Sequence, residues 1–390
     1  MIAEKAINKW MYHGRVNKLA LSPDGKKLYI AWRGAWVFDT ERLTFQAIPL
    51  LTYQAASGVK NPDGSPVWED TNLALTPDGQ KLYVYQQTAP VLNVVATQSL
   101  STLKTIFIPD QRYATDLIVS QGGKKLFLAL AQKYLRPGER ILPNKVLIFN
   151  TLNEQQEKTI DTGVSEITRF LTFDDGPMIL ALSRGRVLQT FDDPSPVISD
   201  VVEYPDLLID AEKGEIVGEV RLSRLKNSAD QSMIHKSFFY TYFFQKKQPR
   251  PKDIPPSEKT DATVLTVFDL KDGNKVKEIL LPFFSFHLSD VIDDRWLYIM
   301  RKQSILLVDL QQKKVVKEVD IYNPSLFQRV KGRVRPDYTE NMVLSKDGKR
   351  LYVAGLLFQQ KWTPFFDLPP PPVKLVITIV DAEKMRRNTE

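Results

Sequence analysis

The best candidates for ligand binding in this sequence are polar residues that occupy the same position in successive copies of a repeated pattern. Each stands immediately before a short apolar run, and the next residue is apolar in every case. The six residues at this place are Lys18, Asn72, Asp116, Arg169, His287 and Asn341. If the repeats surround an axis, these side chains form a ring of mixed charge. Such a ring could bind a polar ligand, hold a cation or contact only water.

Two further acidic residues could bind a metal ion together with one residue of this set. Glu69 and Asp70 directly precede the second repeat, and Asp116 occupies the ring place in the third. Carboxylate oxygens are the ligands that calcium prefers, so calcium is the metal that these side chains would hold. His287 has two interpretations: a general base, or a histidine that makes a structural hydrogen bond.

The local motifs of common enzyme classes are absent from the sequence. It has no glycine motif for dinucleotides or phosphates, no GxSxG nucleophile motif and no HExxH zinc motif. It has no Cys and only three His, which are far apart. Thiolate chemistry, Cys-ligated metals and covalent c-type haem are therefore excluded. We predict no catalytic residue and no cofactor in this chain, with calcium as the one exception left open.

The six ring residues stand in copies of one pattern, and the copies indicate the elements that position them. LALSPDGKKLYIAW (19–32), LALTPDGQKLYVY (73–85) and MVLSKDGKRLYVAG (342–355) are representative, and further copies start at Leu117 and Phe170. Each representative copy has an apolar run, a turn around Asp-Gly and a second run rich in strand formers. Glycine supplies the positive φ of such a turn, so each copy predicts a β-hairpin.

A second strand pair follows each hairpin, joined by a polar turn. The seven residues that open this turn are Asp39, Ala96, Asn150, Asp210, Asp269, Asp309 and Asp381. Four antiparallel strands in each of seven copies predict an all-β, seven-bladed β-propeller that fills residues 1–390 as one domain. The last copy has no outer strand, so we expect residues 1–12 to supply it and close the ring. The sequence does not delimit the first hairpin of blade five.

Four blades carry insertions between their second and third strands, at residues 131–144, 186–205, 246–260 and 358–371. Because the insertions fall at one place in the repeat, we expect them to project from one face of the disc. The last contains Trp362, Phe365 and Phe366 beside four prolines. Aromatic residues next to stiff polyproline are typical of docking segments, so these three are candidates for partner docking. The alternatives are a loop folded on its own blade, and drift in tolerant loops.

The repeats resemble a known propeller type. SPDGKKLYIA and TPDGQKLYVY are similar to the YVTN-type repeat of bacterial and archaeal surface and periplasmic proteins. The second half, with SFFYTYFF, VFDLKDGNKVKEI and GKRLYVAG, resembles the propeller subunit of amine dehydrogenases, such as the β subunit of quinohaemoprotein amine dehydrogenase and the heavy chain of methylamine dehydrogenase. The resemblance implies a scaffold without a redox cofactor, which holds a quinone-bearing or cytochrome partner. It carries over no catalytic residue.

Composition narrows the class of partner and the compartment. There are 53 Lys and Arg against 46 Asp and Glu, a net charge of +7, and the densest basic stretch (245–252) lies among prolines. We therefore expect protein partners and no nucleic acid. No apolar run reaches the roughly 20 residues of a membrane helix. The absence of Cys suits an oxidising compartment, so we expect a periplasmic or extracellular protein whose leader is absent from this sequence, with the cytoplasm as the alternative.

Two functions from different classes follow. The first is a non-catalytic scaffold subunit of a multi-protein redox complex, which explains the missing motifs and the insertions on one face. The second is a propeller enzyme, such as a lactonase-like hydrolase, with a divalent cation at the polar ring. An extracellular adhesion module is a third interpretation.

Overall fold

The computed structural model describes the regular part of the chain. The described residues are 3–6, 16–50, 71–86, 91–108, 113–131, 144–163, 166–174, 176–184, 205–220, 232–244, 263–271, 274–281, 287–301, 304–321, 334–359 and 373–387. Within these ranges, no helix has the length and apolar character needed to cross a membrane.

Seven antiparallel sheets of four strands form the blades. The first strands are β2 (Lys18–Leu21), β6 (Thr71–Leu75), β10 (Tyr113–Val119), β14 (Glu166–Thr172), β18 (Met233–His235), β22 (His287–Ile292) and β26 (Val334–Leu344). The second strands are β3 (Lys27–Ala31), β7 (Lys81–Gln86), β11 (Lys125–Ala131), β15 (Met178–Arg184), β19 (Phe238–Phe244), β23 (Trp296–Arg301) and β27 (Arg350–Gln359).

The remaining strands complete each blade outwards. The third strands are β4 (Ala35–Asp39), β8 (Val91–Ala96), β12 (Asn144–Asn150), β16 (Asp206–Asp210), β20 (Thr263–Asp269), β24 (Ser304–Asp309) and β28 (Val373–Asp381). The fourth strands are β5 (Thr44–Ala47), β9 (Thr102–Phe107), β13 (Gln156–Gly163), β17 (Glu215–Val220), β21 (Lys275–Leu281), β25 (Lys314–Asp320) and, in blade seven, β1 (Ala3–Ala6). Each of the seven turn-opening residues predicted from the sequence ends a third strand.

The blades form a closed ring. First strands of neighbouring blades contact each other around the whole circle, including β2 with β26. The N-terminal strand β1 pairs antiparallel with β28, with Ala3 opposite Ile379, so the last blade is completed by the start of the chain. The predicted seven-bladed propeller and its closure by the N-terminal strand are both confirmed. A strand exchange of this kind pairs the exposed edge of the last blade.

The hydrophobic core lies between blades. One cluster joins blade one to blade seven through Leu28, Ile30 and Phe38 on one side and Tyr352 and Ile377 on the other, all fully or almost fully buried. Similar clusters fill the other interfaces described. Because these strands are buried on both faces of their sheet, their sequences are nearly continuous runs of apolar residues.

The inner hairpin turns hold their shape through their own side chains. In blade one, the Ser22 hydroxyl donates to Asp24 Oδ1 (2.6 Å), and the Lys27 N–H donates to Ser22 Oγ (2.9 Å). The Ser22 hydroxyl and then the Lys26 N–H keep the pKa of Asp24 below its usual value. Gly25 adopts φ +71°, in the region that glycine favours. The Ser-x-Asp-Gly spacing is therefore a structural turn.

Successive turns also pack on each other, and this contact gives a direct test. A Cβ at Gly79, which has φ +71°, would lie 2.6 Å from Cδ of Pro23 in the preceding blade, whereas a Cβ at Gly25 would meet nothing within 4 Å. We expect Gly25→Ala to lower the free energy of unfolding by about 1 kcal/mol through backbone strain alone. Gly79→Ala adds the clash and should cost about 2–4 kcal/mol. Chemical denaturation of both variants measures the difference, and equal losses would contradict the packing.

Two local features differ from expectation or go beyond it. In blade seven, the helix α1 (Ala382–Arg387) follows β28 in place of a second hairpin turn. Its residues Ala382 and Met385 are buried, and the Ala382 carbonyl accepts a hydrogen bond from the Tyr298 hydroxyl (2.7 Å). The first hairpin of blade five, which the sequence did not delimit, has only three residues in β18 and a two-residue turn before β19.

The two faces of the disc differ in the length of their connections. The turn face carries the connections from first to second and from third to fourth strands, and those between described strands have two to five residues. The mouth face carries the second-to-third and blade-to-blade connections. Eight of these have 11 to 23 residues: 7–17, 48–70, 132–143, 185–205, 221–232, 245–262, 321–333 and 360–372. The four predicted insertions all connect strand ends at this face, and most of their residues lie outside the described part of the chain.

Candidate functional site at the channel mouth

The structure brings the predicted ring residues together on the first strands: Lys18 and His287 begin theirs, whereas Asp116, Arg169 and Asn341 lie within theirs. Lys18 of blade one extends past blade two, and its Nζ donates to Asp116 Oδ1 of blade three (2.8 Å) and to the Leu117 carbonyl (2.7 Å). The Asp116 side chain is 7% exposed and that of Lys18 is 29% exposed. The ion pair therefore lies largely out of water and ties non-adjacent blades together.

Asp116 is the centre of this network. Its Oδ1 also accepts from Asn72 Nδ2 of blade two (3.1 Å), and its Oδ2 accepts from the Phe170 N–H of blade four (2.8 Å). One carboxylate thus joins groups from four consecutive blades. Charge-assisted hydrogen bonds of this kind are stronger than neutral ones, and they fix the side chain in place.

Irregular backbone aims several ring side chains. The strand register shifts just before Asp116 in β10, just before Arg169 in β14 and just before Asn341 in β26. Each shift is a β-bulge, which turns the following side chain relative to a regular strand, and bulges recur next to functional sites. The sequence pattern located these three positions without revealing the bulges, because a one-residue bulge leaves the apolar run after it intact.

The ring residues of blades six and seven, His287 and Asn341, have other neighbours than Asp116. Burial, and then the positive charge of Arg169 in blade four, lower the pKa of His287 in blade six to about 3. His287 is therefore neutral at physiological pH. Asn341 Nδ2 of blade seven donates to the Asn17 carbonyl (3.4 Å), and Asn17 Nδ2 donates to the Thr71 carbonyl of blade two (2.8 Å). No ring residue was assigned to blade five from the sequence, and the residues that directly precede Ser232 lie outside the described part of the chain.

His287 should make folding sensitive to acid. Unfolded, it binds a proton below about pH 6.5, whereas folded it resists protonation down to about pH 3. The unfolded state therefore gains protons first, and stability falls as the pH drops through this window. Between pH 7 and pH 5 this contribution reaches up to about 2 kcal/mol. We expect His287→Gln to remove it in urea unfolding at the two pH values; an unchanged pH dependence in the variant would refute it.

The metal prediction remains untested by this geometry. Glu69 and Asp70 lie outside the described residues, and the described part of the chain holds no group of three His, Asp or Glu placed to bind a metal ion. The third candidate, Asp116, already accepts three hydrogen bonds. A calcium ion at Asp116 would have to compete with the ammonium of Lys18. The docking candidates Trp362, Phe365 and Phe366 also lie outside the described residues.

Sequence reasoning missed a set of lysines that link neighbouring blades on the turn face. Lys27, Lys81 and Lys125 begin second strands, and each donates from Nζ to a carbonyl in the outer turn of the next blade: Thr97 (2.8 Å), Thr151 (2.6 Å) and Glu212 (2.6 Å). The repeated Lys before Leu in the GKKL and GQKL motifs was the available signal.

One of these lysines belongs to a buried cluster. Lys81 Nζ lies 2.6 Å from Glu154 Oε1 in blade three, and the Tyr83 hydroxyl donates to the same carboxylate (3.0 Å to Oε2). Burial first, and then Glu154, raise the pKa of Tyr83 far above its usual value, so the phenol stays a donor. These contacts indicate a structural role for the cluster at the interface of blades two and three.

Known structures share this architecture over most of their length. No family model and no curated protein sequence matches the chain. Hydrazine synthase of Kuenenia stuttgartiensis is 15% identical with a TM-score of 0.57, over 89% of this chain and 94% of that one. The chain is a seven-bladed β-propeller. At this identity the likeness shows the fold alone.

Two further structures show how widely the propeller is used. Dihydro-heme d1 dehydrogenase NirN, in complex with DHE, is 15% identical with a TM-score of 0.50, over 96% of this propeller and 69% of NirN. U3-55K is 9% identical with a TM-score of 0.53, over 95% of this chain and 98% of that one. The propeller fold therefore does not by itself select a function.

Proposed function

We propose that this propeller is a non-catalytic scaffold subunit of a multi-protein redox complex, and that any haem or quinone belongs to a partner subunit. The observation that carries the proposal is the asymmetry of the disc. The turn face has only short connections between described strands, whereas eight connections of the mouth face have 11 residues or more. Binding residues concentrate in loops that a rigid scaffold positions, so the mouth face is the partner side.

Charge supports a protein partner with an acidic surface. Basic residues are concentrated in the mouth-face connections of blades five, six and seven and in the connection that leads into blade one. Together these connections contain 15 Lys and Arg against 5 Asp and Glu; they are residues 221–232, 245–262, 282–286, 302–303, 321–333, 360–372 and 7–17. The whole chain has a net charge of only +7, so the rest of the chain is slightly acidic. A one-sided basic arc attracts and orients an acidic partner. Its effect should weaken as ionic strength rises.

The redox part of the proposal is supported by the repeat resemblance to amine dehydrogenase propellers. Hydrazine synthase and the dehydrogenase NirN, two of the structures with this fold, are enzymes by name, and U3-55K shows that other proteins share it. The proposal includes a periplasmic or extracellular location, which suits a chain without Cys.

Native mass spectrometry of the untagged protein from its source, with its visible absorbance, tests this function. We expect a hetero-complex with haem or quinone absorption. A colourless monomer would contradict the proposal. A colourless hetero-complex would keep the scaffold role and refute the redox role.

The docking side can be tested by shortening connections. Replacing residues 361–371 with a short Gly-Ser link removes Trp362, Phe365 and Phe366 while leaving β27 and β28 intact. We expect loss of the partner with an unchanged melting temperature. The matched control shortens connection 48–70, which lies outside the basic arc, by the same number of residues and should retain the partner. Partner retention in the first variant would exclude this connection as the docking segment.

The polar ring favours one second candidate, a hydrolase that uses a divalent cation at the channel mouth. Its buried carboxylate, Asp116, is the observation in its favour. Calcium-dependent thermal stabilisation that is lost in Glu69→Ala would support this candidate. A melting temperature that calcium leaves unchanged would remove it.

A further inference from the structure

His235 lies between carboxylates from two other blades on the turn face. It ends β18 of blade five, with its Nδ1 3.3 Å from Asp174 Oδ2 and its Nε2 2.9 Å from Asp294 Oδ1. Asp174 belongs to the inner turn of blade four, and Asp294 to the inner turn of blade six. One imidazole therefore bridges the blades on either side of its own.

The protonation state of the ring decides how strongly it holds the two carboxylates: Nε2 forms a hydrogen bond with Asp294, whereas Nδ1 lies at ion-pair distance from Asp174. A neutral imidazole carries one N–H, whereas the imidazolium carries two. Both neighbours are carboxylates, which accept and do not donate when ionised. The imidazolium keeps the hydrogen bond to Asp294 and adds charge attraction to both carboxylates, which the neutral ring lacks.

Lys236 contacts both carboxylates as well. Lys236 Nζ lies 2.6 Å from Asp294 Oδ2, and the Lys236 N–H donates to Asp174 Oδ2 (2.8 Å). The hydrogen bond from Lys236 first, and that from His235 second, keep the pKa of Asp294 below its usual value. Arg295, next along the blade-six turn, pairs with Asp309 (2.8 Å) of its own blade. Among the described residues, the charged groups that face His235 are thus two carboxylates and one ammonium.

Blade five has a particular need for such a bridge. Its first strand, β18, has three residues, whereas the other first strands have four to eleven. A short strand makes few ladder hydrogen bonds, so its position in the ring depends more on side-chain contacts. The bridge lies at the turn-face end of this strand.

We propose that His235 is a pH-dependent clamp that holds blade five between blades four and six. Protonated, it hydrogen-bonds Asp294, attracts the Asp174 carboxylate as an ion pair and so joins three blades; neutral, it keeps the hydrogen bond to Asp294 and loses the charge attraction to both carboxylates. Acidification therefore tightens blade five at the turn face. This sense is opposite to that of His287, whose protonation beside Arg169 would destabilise the mouth of the adjacent blade.

Hydrogen exchange of the β19 amides, corrected for the intrinsic pH dependence of exchange, reports the clamp. We expect the ratio of protection factors between wild type and His235→Gln to be about two- to fivefold larger at pH 6 than at pH 8, a size that allows for the exposure of both carboxylates. Because His287 is present in both proteins, its contribution cancels in the ratio.

Lys236→Met is the matched control, since it removes a contact to the same Asp294 and leaves the imidazole in place. It should lower β19 protection by the same factor at both pH values. A pH-independent ratio for His235→Gln would overturn the clamp. Neither result depends on the partner complex, so this test stands apart from that of the scaffold role.

Discussion

Replacing Asp116 with alanine is expected to lower the free energy of unfolding by about 3–5 kcal/mol. The substitution leaves the ammonium of Lys18 without its carboxylate in a largely buried place, and removes acceptors from Asn72 and from the Phe170 N–H. Breaking one side of a buried pair costs more than the pair contributes, because the remaining charge stays desolvated. Urea unfolding at pH 7 measures the loss.

An exposed ion pair provides the control for this prediction. Lys158 and Glu215 lie 2.8 Å apart across blades three and four, with 40% and 57% of their side chains exposed. Glu215→Ala should cost far less than Asp116→Ala, because solvent screens the pair. The double variant Lys18→Met with Asp116→Ala should recover part of the loss, since no unpaired charge remains. A loss at Asp116 no larger than at Glu215 would show that the ring network contributes little to folding.

Glu154→Ala is expected to have the second large effect, about 3–4 kcal/mol. Glu154 is 9% exposed and accepts from Lys81 and from the Tyr83 hydroxyl across the interface of blades two and three. Its loss leaves a buried phenol without its acceptor and an ammonium with only the Thr151 carbonyl. Thermal and urea unfolding of the variant measure the cost.

Neighbouring substitutions separate the parts of this effect. Tyr83→Phe removes only the phenol hydrogen bond and should cost about 1 kcal/mol. Glu157→Ala removes a more exposed carboxylate, 3.7 Å from Lys125 on the same blade, and should stay below about 1 kcal/mol. If Glu154→Ala cost no more than Glu157→Ala, the cluster would be a surface contact in energetic terms.

Much of the fold could be predicted because its signals are local and repeated. Six of the seven residues that open the outer turns are Asp or Asn, whose side chains cap the following turn, as when Asp39 Oδ1 accepts from the N–H groups of Glu41 and Arg42. The seventh, Ala96, was found from its place in the repeat. The inner turns were found because glycine must adopt a positive φ there. Blades five and six were the exceptions, since the turn around Lys236 and the turn at Asp293 and Asp294 lack this glycine, and these non-glycine residues adopt the positive φ themselves.

The candidate site could be located but not understood from sequence. Aligned strands put Lys18, Asn72 and Asp116 at one place in the repeat, and the ring geometry followed from that. Nothing in the alignment indicated that Lys18 reaches past a blade to Asp116, because side-chain reach depends on the distance between first strands. The bulges before Asp116 and Arg169, which aim these side chains, were equally invisible.

The sequence by itself determined the number of blades, their four-strand plan, the closure by the N-terminal strand and the face that carries the insertions. These follow from periodicity, turn chemistry and connectivity, which act along the chain. Only the tertiary structure decided which charges meet: Lys18 with Asp116, Lys81 with Glu154, and His235 with Asp174 and Asp294. Those pairs join different blades, and partners so distant in sequence are set by how the sheets pack around the axis.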